Sequence, residues 1–274
     1  MKFSVLISVY EKDNPQYFKI ALESVFEQTV TPTEVVLVVD GPIPKETSQV
    51  IQTMEKMYEN LNVIYLKQNL GHGGSRSKGL KNCSYELVAV MDSDDISVPD
   101  RFEKQLKCFE NDKGVSVIGG YIKEFEGDVE HVIGLRKVPL EDGEIKQYLK
   151  TRCPVNFVTT MFKKSHVNEV GGFIDWYCEE DYYLWVRMCL AGYKFKNIPD
   201  CLVHVRMNPD SYMRRGGLRY FKSEASLQKY MYDNRIISLT RLIFNVSIRF
   251  VVQVLITNSL RGVLFKTVFR SKKG

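Results

Sequence analysis

Four short, unbroken apolar runs constrain this chain more than any other feature. They are "FSVLISV" (3–9), "EVVLVVD" (34–40), "NVIYL" (62–66) and "ELVAVMD" (86–92). Each has strand length and none alternates apolar with polar, so each reads as a strand buried on both faces. Helical periods lie between them. In "NPQYFKIALESVFEQT", Phe18, Ala21, Leu22, Val25 and Phe26 recur at helical spacing, with Asn14 as N-cap and Pro15 at the first helical position. "ETSQVIQTMEKMYEN" reads as a second helix, and a short one is expected near 75–82. Strands of this kind alternating with helices imply a parallel sheet covered on both sides.

From about residue 115 the pattern loosens. "VSVIGGYIKEF", "FVTTMF" and "CLVHVRM" read as strands, with a helix at "EEDYYLWVRMCLAG" between the last two. This second half is expected to complete the same sheet. The fold class is therefore α/β, a Rossmann-like, mostly parallel sheet flanked by helices, followed by a helical, basic C-terminal tail.

Charge narrows the partners. After Asp233 there is no acidic residue, while eight Lys and Arg follow, so the tail carries +8 and everything before it −3. A near-neutral body with a basic tail is not a uniformly basic nucleic-acid binder. The opening "MKFSVLISVY" lacks the small-residue cleavage site of a secretory leader. Six cysteines without any C-x-x-C pair argue against a disulfide framework or zinc site and for a reducing cytosol.

In an open α/β sheet, ligands bind beyond the carboxyl ends of the strands. "VYEKD", "VDGP" and "MDSDD" fall at three such ends and should line one crevice. Asp92, Asp94 and Asp95 lie within four positions and repel one another unless a cation intervenes. Oxygen ligands in a row suit a hard divalent ion, Mg²⁺ or Mn²⁺. A calcium loop fails, because Ile96 and Ser97 stand where a ligand and a glycine are needed. Further along, Ser97 and Asp100 read as a capping box before Pro99. "NLGHGGSRSKGL" (69–80) has neither the dinucleotide-binding glycine spacing nor a P-loop. Its Arg76 and Lys78 could face a nucleotide.

Taken in order, "SVLISVYEKD", "VVLVVDG", "NLGHGGSRSKGL", "MDSDDISVPDRFEKQ" and "EEDYYLWVRMCLAGYKF" resemble the family 2 glycosyltransferases of GT-A fold. The likeness is to the bacterial enzymes of amylovoran, capsule and O-antigen synthesis, over roughly residues 3–220. The resemblance implies a D-x-D motif at Asp92 and Asp94, the first by the ribose and the second on Mn²⁺ or Mg²⁺ that bridges a donor diphosphate. It implies a base-contacting Asp40, with Tyr10 and Glu11 beside the nucleoside, and Arg76 as the basic residue of the glycine-rich segment. Ser77-Lys78 departs from the family there. Asp181 is implied as the general base, with Glu180 as the alternative, while Glu179 reads as an acid at a helix start. His204 is a candidate third metal ligand or a core histidine. Arg214 and Arg215 are candidates to close over the donor, to meet acceptor phosphates, or to be a solvated charge run.

The implied activity is an inverting, metal-dependent transfer of a hexose from a UDP-sugar, UDP-galactose or UDP-glucose first, to an undecaprenyl-diphosphate-linked saccharide. A dTDP-sugar donor and a catalytically silent sugar-nucleotide-binding subunit are the alternatives. Residues 1–217 would form the catalytic domain and 218–274 a helical extension. No run of 18 apolar residues occurs in 241–274, because Asn245, Arg249 and Gln253 interrupt it. Basic residues interleaved with Phe, Leu and Val suit a helix at an anionic membrane surface, with packing on the body or on a second subunit as the competing reading. The enzyme is expected in the cytoplasm, peripheral at the inner membrane, with no nucleic-acid partner and its oligomeric state open.

Overall fold

A computed structural model describes residues 1–208 and 216–256. Arg214, Arg215 and residues 257–274 lie outside the described residues. The first half forms as its apolar runs require. β1 (Phe3–Val9), β2 (Glu34–Val39), β3 (Leu61–Tyr65) and β4 (Leu87–Met91) pair in parallel in the order β3-β2-β1-β4. Val5 stands opposite Val35 on one side and Ala89 on the other. All six residues of β2 are buried, which is why no alternation marks it.

The runs divide their side chains between two cores. Val5, Ile7 and Val9 face the helices α1 (Pro15–Phe26), α2 (Lys45–Met57) and α4 (Arg101–Asn111) through residues such as Phe18, Met54 and Phe102. Leu6, Val36 and Val88 face the opposite core around Trp185 and Phe162. The α1 start is as expected: Asn14 accepts from the Gln16 and Tyr17 N–H groups, and Pro15 follows it.

From Gly71 onward the glycine-rich segment is helix. α3 (Gly71–Asn82) begins four residues before the expected 75. Acceptors from outside it make this possible: Asp40 Oδ1 takes the Leu70 N–H at 2.7 Å and Asn69 Oδ1 the Gly71 N–H at 2.9 Å. Gly79 lets the helix lie directly on the sheet, since a Cβ there would overlap Leu6 and stand 2.9 Å from Val38.

The second half continues the same sheet in mixed directions. Beyond β4 comes β8 (Met161–Lys163), antiparallel to it, and then β6 (Val115–Phe125), antiparallel to β8. β9 (Lys194–Arg206) runs parallel to β6, and β5 (Ile96–Ser97) closes the order antiparallel to β9. β7 (Val132–Arg136) pairs with β6 off this path. Helices α5 (Asp142–Leu149), α6 (Lys164–Glu169) and α7 (Glu180–Leu190) cover this half.

Two expectations need correction. "FVTTMF" is not one strand: Phe157–Thr159 form a 3₁₀ turn, because the Thr159 and Thr160 hydroxyls donate back to the Asn156 and Phe157 carbonyls at 2.7 and 2.8 Å. The capping box of Ser97 and Asp100 does not form either. Ser97 is drawn into β5, its N–H donating to Ser24 Oγ at 3.1 Å, and Asp100 pairs with Lys104 at 2.9 Å. α4 starts without any side-chain cap.

Over its described residues the tail is helical, as its period suggests: α8 (Leu218–Asp233) and α9 (Leu239–Phe250), the latter prolonged by a π-helical turn (Val251–Leu255). Leu227 and Met231 of α8 belong to the core around Trp185. Among the described residues no helix is long and apolar enough to cross a membrane.

Candidate functional site

The strand order reverses between β1 and β4, and the carboxylates gather at that switch point. β1 ends in a tight turn in which the Tyr10 N–H donates to Asp13 Oδ2 at 3.0 Å. Asp13 then accepts from the Ser93 hydroxyl at 2.8 Å, which binds the first loop to the loop after β4. Burial, followed by the nearby Asp92, pushes the Asp13 carboxyl above the usual carboxylate range. Sequence reading placed Asp13 and Ser93 in the clusters expected to line the crevice but gave neither a role. Tyr10 is half-buried and Glu11 exposed on the same turn.

Asp92, Asp94 and Asp95 crowd their charges together at the end of β4. Asp94 is pushed up to about 6, by burial first and then by Asp92 and Asp13. Asp95, 3% exposed, is also raised well above the usual carboxylate range, by burial first and then by Asp94 and Asp92. Asp95 Oδ1 accepts the Arg206 N–H at 2.8 Å, so it braces the loop.

The protein supplies three cations of its own to this cluster. Arg76 donates to Asp92 Oδ1 at 3.2 Å. Arg206, at the end of β9, donates through Nε to the Asp94 carbonyl at 3.1 Å and stacks over Tyr17 and Phe125. Arg101 is fully buried beneath, donating to the Val90 and Thr160 carbonyls at 2.8 and 3.3 Å. Sequence reading found only Arg76. Arg206 carries no local signal, since its partners Asp94 and Asp95 lie 112 and 111 positions away.

Across from this cluster, α7 opens with the second acidic group. Glu180 Oε1 accepts from Arg76 at 2.8 Å, so one guanidinium joins Asp92 to Glu180. Arg76 is 7% exposed and lies over the Phe157 ring at 4.1 Å. Both its ends are thus held by carboxylates. Next to Glu180, Asp181 Oδ1 accepts the Tyr182 N–H at 2.7 Å, and the Cys153 thiol lies 3.9 Å from Oδ2. Burial, then Glu180, pushes Asp181 up to about 6, while Arg76 and Arg136 oppose the rise. Asp181 is a desolvated carboxylate that is ionised at neutral pH yet basic enough to take a proton.

Glu179 stands at the N-cap of α7, as an acid at a helix start, and it also faces α8. It is buried, its carboxyl raised by burial and by Glu224, and Tyr220 of α8 hydrogen-bonds to it. The residue before it, Cys178, holds φ 58, a strained backbone at the turn that feeds the acidic pair.

Asp40 is buried and caps α3 through Leu70, as described above. His204 lies on β9 opposite Ile96 and Lys123. Burial lowers its pKa, and the charged groups acting on it are Lys123 and Glu130. The structure brings Asp13, Asp92, Asp94 and Arg76 together with Glu180 and Asp181.

Could these residues hold a divalent cation? Among the described residues no group of three or more His, Cys, Asp and Glu is arranged to do so unaided. Mg²⁺ and Mn²⁺ are commonly bound by one or two carboxylates completed by substrate phosphates rather than by a protein cage. Half-exposed Asp92 beside desolvated Asp94 is such a donor set, and its mutual repulsion is what a cation would relieve. The residues fit the group.

Residues 4–170 match the model of the family described as Glycosyl transferase family 2. The chain is 36% identical over 269 residues to the Escherichia coli "UDP-Gal:alpha-D-GlcNAc-diphosphoundecaprenol beta-1,3-galactosyltransferase", covering 98% of this chain and 97% of that one. It is 36% identical over 227 residues to the Erwinia amylovora "Amylovoran biosynthesis glycosyltransferase AmsE", covering 83% and 84%. Among solved structures, S. aureus TarS 1-349 in complex with UDP-GlcNAc superposes with a TM-score of 0.65 at 19% identity, over 92% of this chain and 73% of that one. Of a longer TarS chain, this protein spans 44%. That likeness carries the fold, a GT-A architecture. On the family match and the near full-length relatives together, the chain belongs to the family 2 glycosyltransferases.

Proposed function

We propose that this glycosyltransferase moves a hexose from a UDP-sugar, UDP-galactose first, to a saccharide carried on a lipid diphosphate, with inversion at the anomeric carbon. The reading puts the enzyme in bacterial surface-polysaccharide synthesis, at the cytoplasmic face of the membrane. One observation carries it: the buried Arg76 joins Asp92, at the strand switch point, to Glu180, the neighbour of a carboxylate with the basicity of a general base. The name of the Escherichia coli relative supports the donor and the acceptor class.

In this reading the donor nucleoside lies over the ends of β1 and β2, against Tyr10, Glu11 and Asp40. Asp94 and Asp92 would hold Mn²⁺ or Mg²⁺, which supplies charge stabilisation to the diphosphate that leaves. Asp181 takes the proton of the acceptor hydroxyl as that oxygen bonds to the anomeric carbon and the bond to the nucleoside diphosphate breaks. Glu180 is held off that task by its ion pair with Arg76, and its charge next door keeps Asp181 basic. Arg76 fixes the distance between the two halves of the site rather than meeting the phosphates directly.

The test is transfer to a GlcNAc-diphospho-lipid from a panel of UDP-hexoses, with the anomeric configuration of the product read by NMR. Product of inverted configuration from one UDP-hexose is expected. Transfer from a dTDP-sugar alone would replace the donor, and product of retained configuration would overturn the single-displacement chemistry.

A further inference from the structure

The last described helix is built inside out. Asn245, Arg249 and Gln253 recur every four residues and all turn toward the body. Asn245, 3% exposed, donates to the Lys150 carbonyl at 2.8 Å and to Gln228 Oε1 at 2.7 Å. Arg249 donates to the Thr151 carbonyl at 2.6 Å and pairs with Glu224 at 3.2 Å, and Gln253 also donates to Glu224. The side turned to solvent carries Leu239, Ile243, Phe244, Ile248, Val251 and Leu255, 46–63% exposed. A surface helix ordinarily does the reverse, with its apolar stripe on the core. Here a row of polar contacts, with Leu242 against the core and Phe250 against Phe221, holds the helix to the body, and a contiguous apolar face is left over, the kind of surface that marks an interaction site.

We propose that this face of α9 and its π-helical turn is a docking surface for an anionic lipid bilayer. Charge selects lipid over a second copy of the chain. Arg235 and Arg241 are exposed at the start of the helix, residues 257–274 add five Lys and Arg, and no acid occurs anywhere after Asp233. Pairing two such faces would bring two cationic tails together, whereas anionic headgroups neutralise them. The polar residues on the outer side suit the headgroup boundary: Thr240 and Ser247 are small, and Arg241 can reach outward. The inward row also ties this surface to the catalytic turn. Lys150 and Thr151 precede Cys153, which lies beside Asp181, and Glu224 faces Glu179. A docked α9 therefore sets the turn bearing Glu180 and Asp181 at a fixed height over the membrane. This deepens the proposed function, which needs a lipid-borne acceptor, and rests on it for its purpose only.

The experiment is sedimentation of the full chain with phosphatidylcholine vesicles, with and without phosphatidylglycerol, in the absence of donor and acceptor. The variant is Phe244→Ser/Ile248→Ser, checked by thermal unfolding and by light scattering for oligomeric state. The native chain is expected to bind the anionic vesicles, with partition lowered about tenfold in the variant and the unfolding temperature unchanged. Three results would each overturn the proposal. These are equal vesicle binding by native and variant chains, a native dimer that the variant splits while neither binds vesicles, and no vesicle binding with a less stable variant. The last would give the face to the chain's own residues 257–274. Since no turnover is measured, failure here leaves the transfer reaction untouched, and failure of transfer leaves vesicle binding standing.

Discussion

At the scale of the residue, the site is a balance of buried charges, and two side chains hold it. Arg76 satisfies one carboxylate on each side of the crevice with a single guanidinium. Arg76→Met would leave Glu180 buried and unpaired, a loss on the order of 3 kcal/mol. Urea unfolding should show that loss, and Arg76→Lys should recover only part of it, since a point charge cannot span both partners. Asp181 is costly in the opposite sense. Its pKa, raised to about 6, means the folded chain binds a proton more tightly than the unfolded one. Stability therefore falls as pH rises from about 4 to about 6, and that cost persists at neutral pH. Asp181→Asn is expected to abolish transfer while raising stability by roughly 1 to 3 kcal/mol at pH 7, a gain that vanishes near pH 4. In the native enzyme kcat/KM should drop as pH falls through about 6, as the base protonates. A profile flat to pH 5 would remove Asp181 from that role. Asp92 and Asp94 stood out in the sequence as carboxylates crowded at a strand end, whereas Asp181 was singled out through the family resemblance alone. Arg206 and the particular role of Asp13 did not stand out, because each depends on a partner far away in sequence, 112 positions for Arg206 and Asp94 and 80 for Asp13 and Ser93.

At the scale of the element, period and run length carried the first half. β1 to β4 and α1 lie where their apolar patterns put them, since burial on both faces leaves an unmistakable run. Where side chains compete with the backbone, pattern failed: the threonines of "FVTTMF" and Ser97 were each claimed by hydrogen bonds from outside their own segment or by a local turn. β7, α5 and α6 were missed, being short and half-exposed. α9 is the instructive case. Its polar residues read as interruptions of an apolar stretch, and they are the inward face of the helix. Arg249→Leu would leave Glu224 without its cation beside Glu179, and is expected to destabilise the chain by about 3 kcal/mol. Adding Glu224→Gln should restore a measurable part of the unfolding temperature. A double variant no more stable than the single one would show that the ion pair is not what holds α9 in place.

At the scale of the molecule, the parallel half and the mixed half divide the work. The parallel half gathers Tyr10, Asp40, Asp92 and Asp94 at its strand ends, and the mixed half delivers Arg206 from β9 and the acidic pair from α7. Fold class and the order of these contributions could be read from sequence, because five motifs in fixed order constrain far more than any one of them. The pairing of the halves through Arg76 could not, since it depends on the angle at which α7 meets α3. The central claim is that the carboxylates after β4, with a divalent cation, hold a nucleoside diphosphate. Calorimetric titration of UDP into the native chain and into Asp94→Ala, each with and without Mn²⁺, tests it most directly. The account predicts binding that is at least about tenfold tighter with Mn²⁺ in the native chain and insensitive to Mn²⁺ in the variant. Binding of no nucleotide diphosphate, UDP, dTDP or GDP, by the native chain with Mn²⁺ would contradict it.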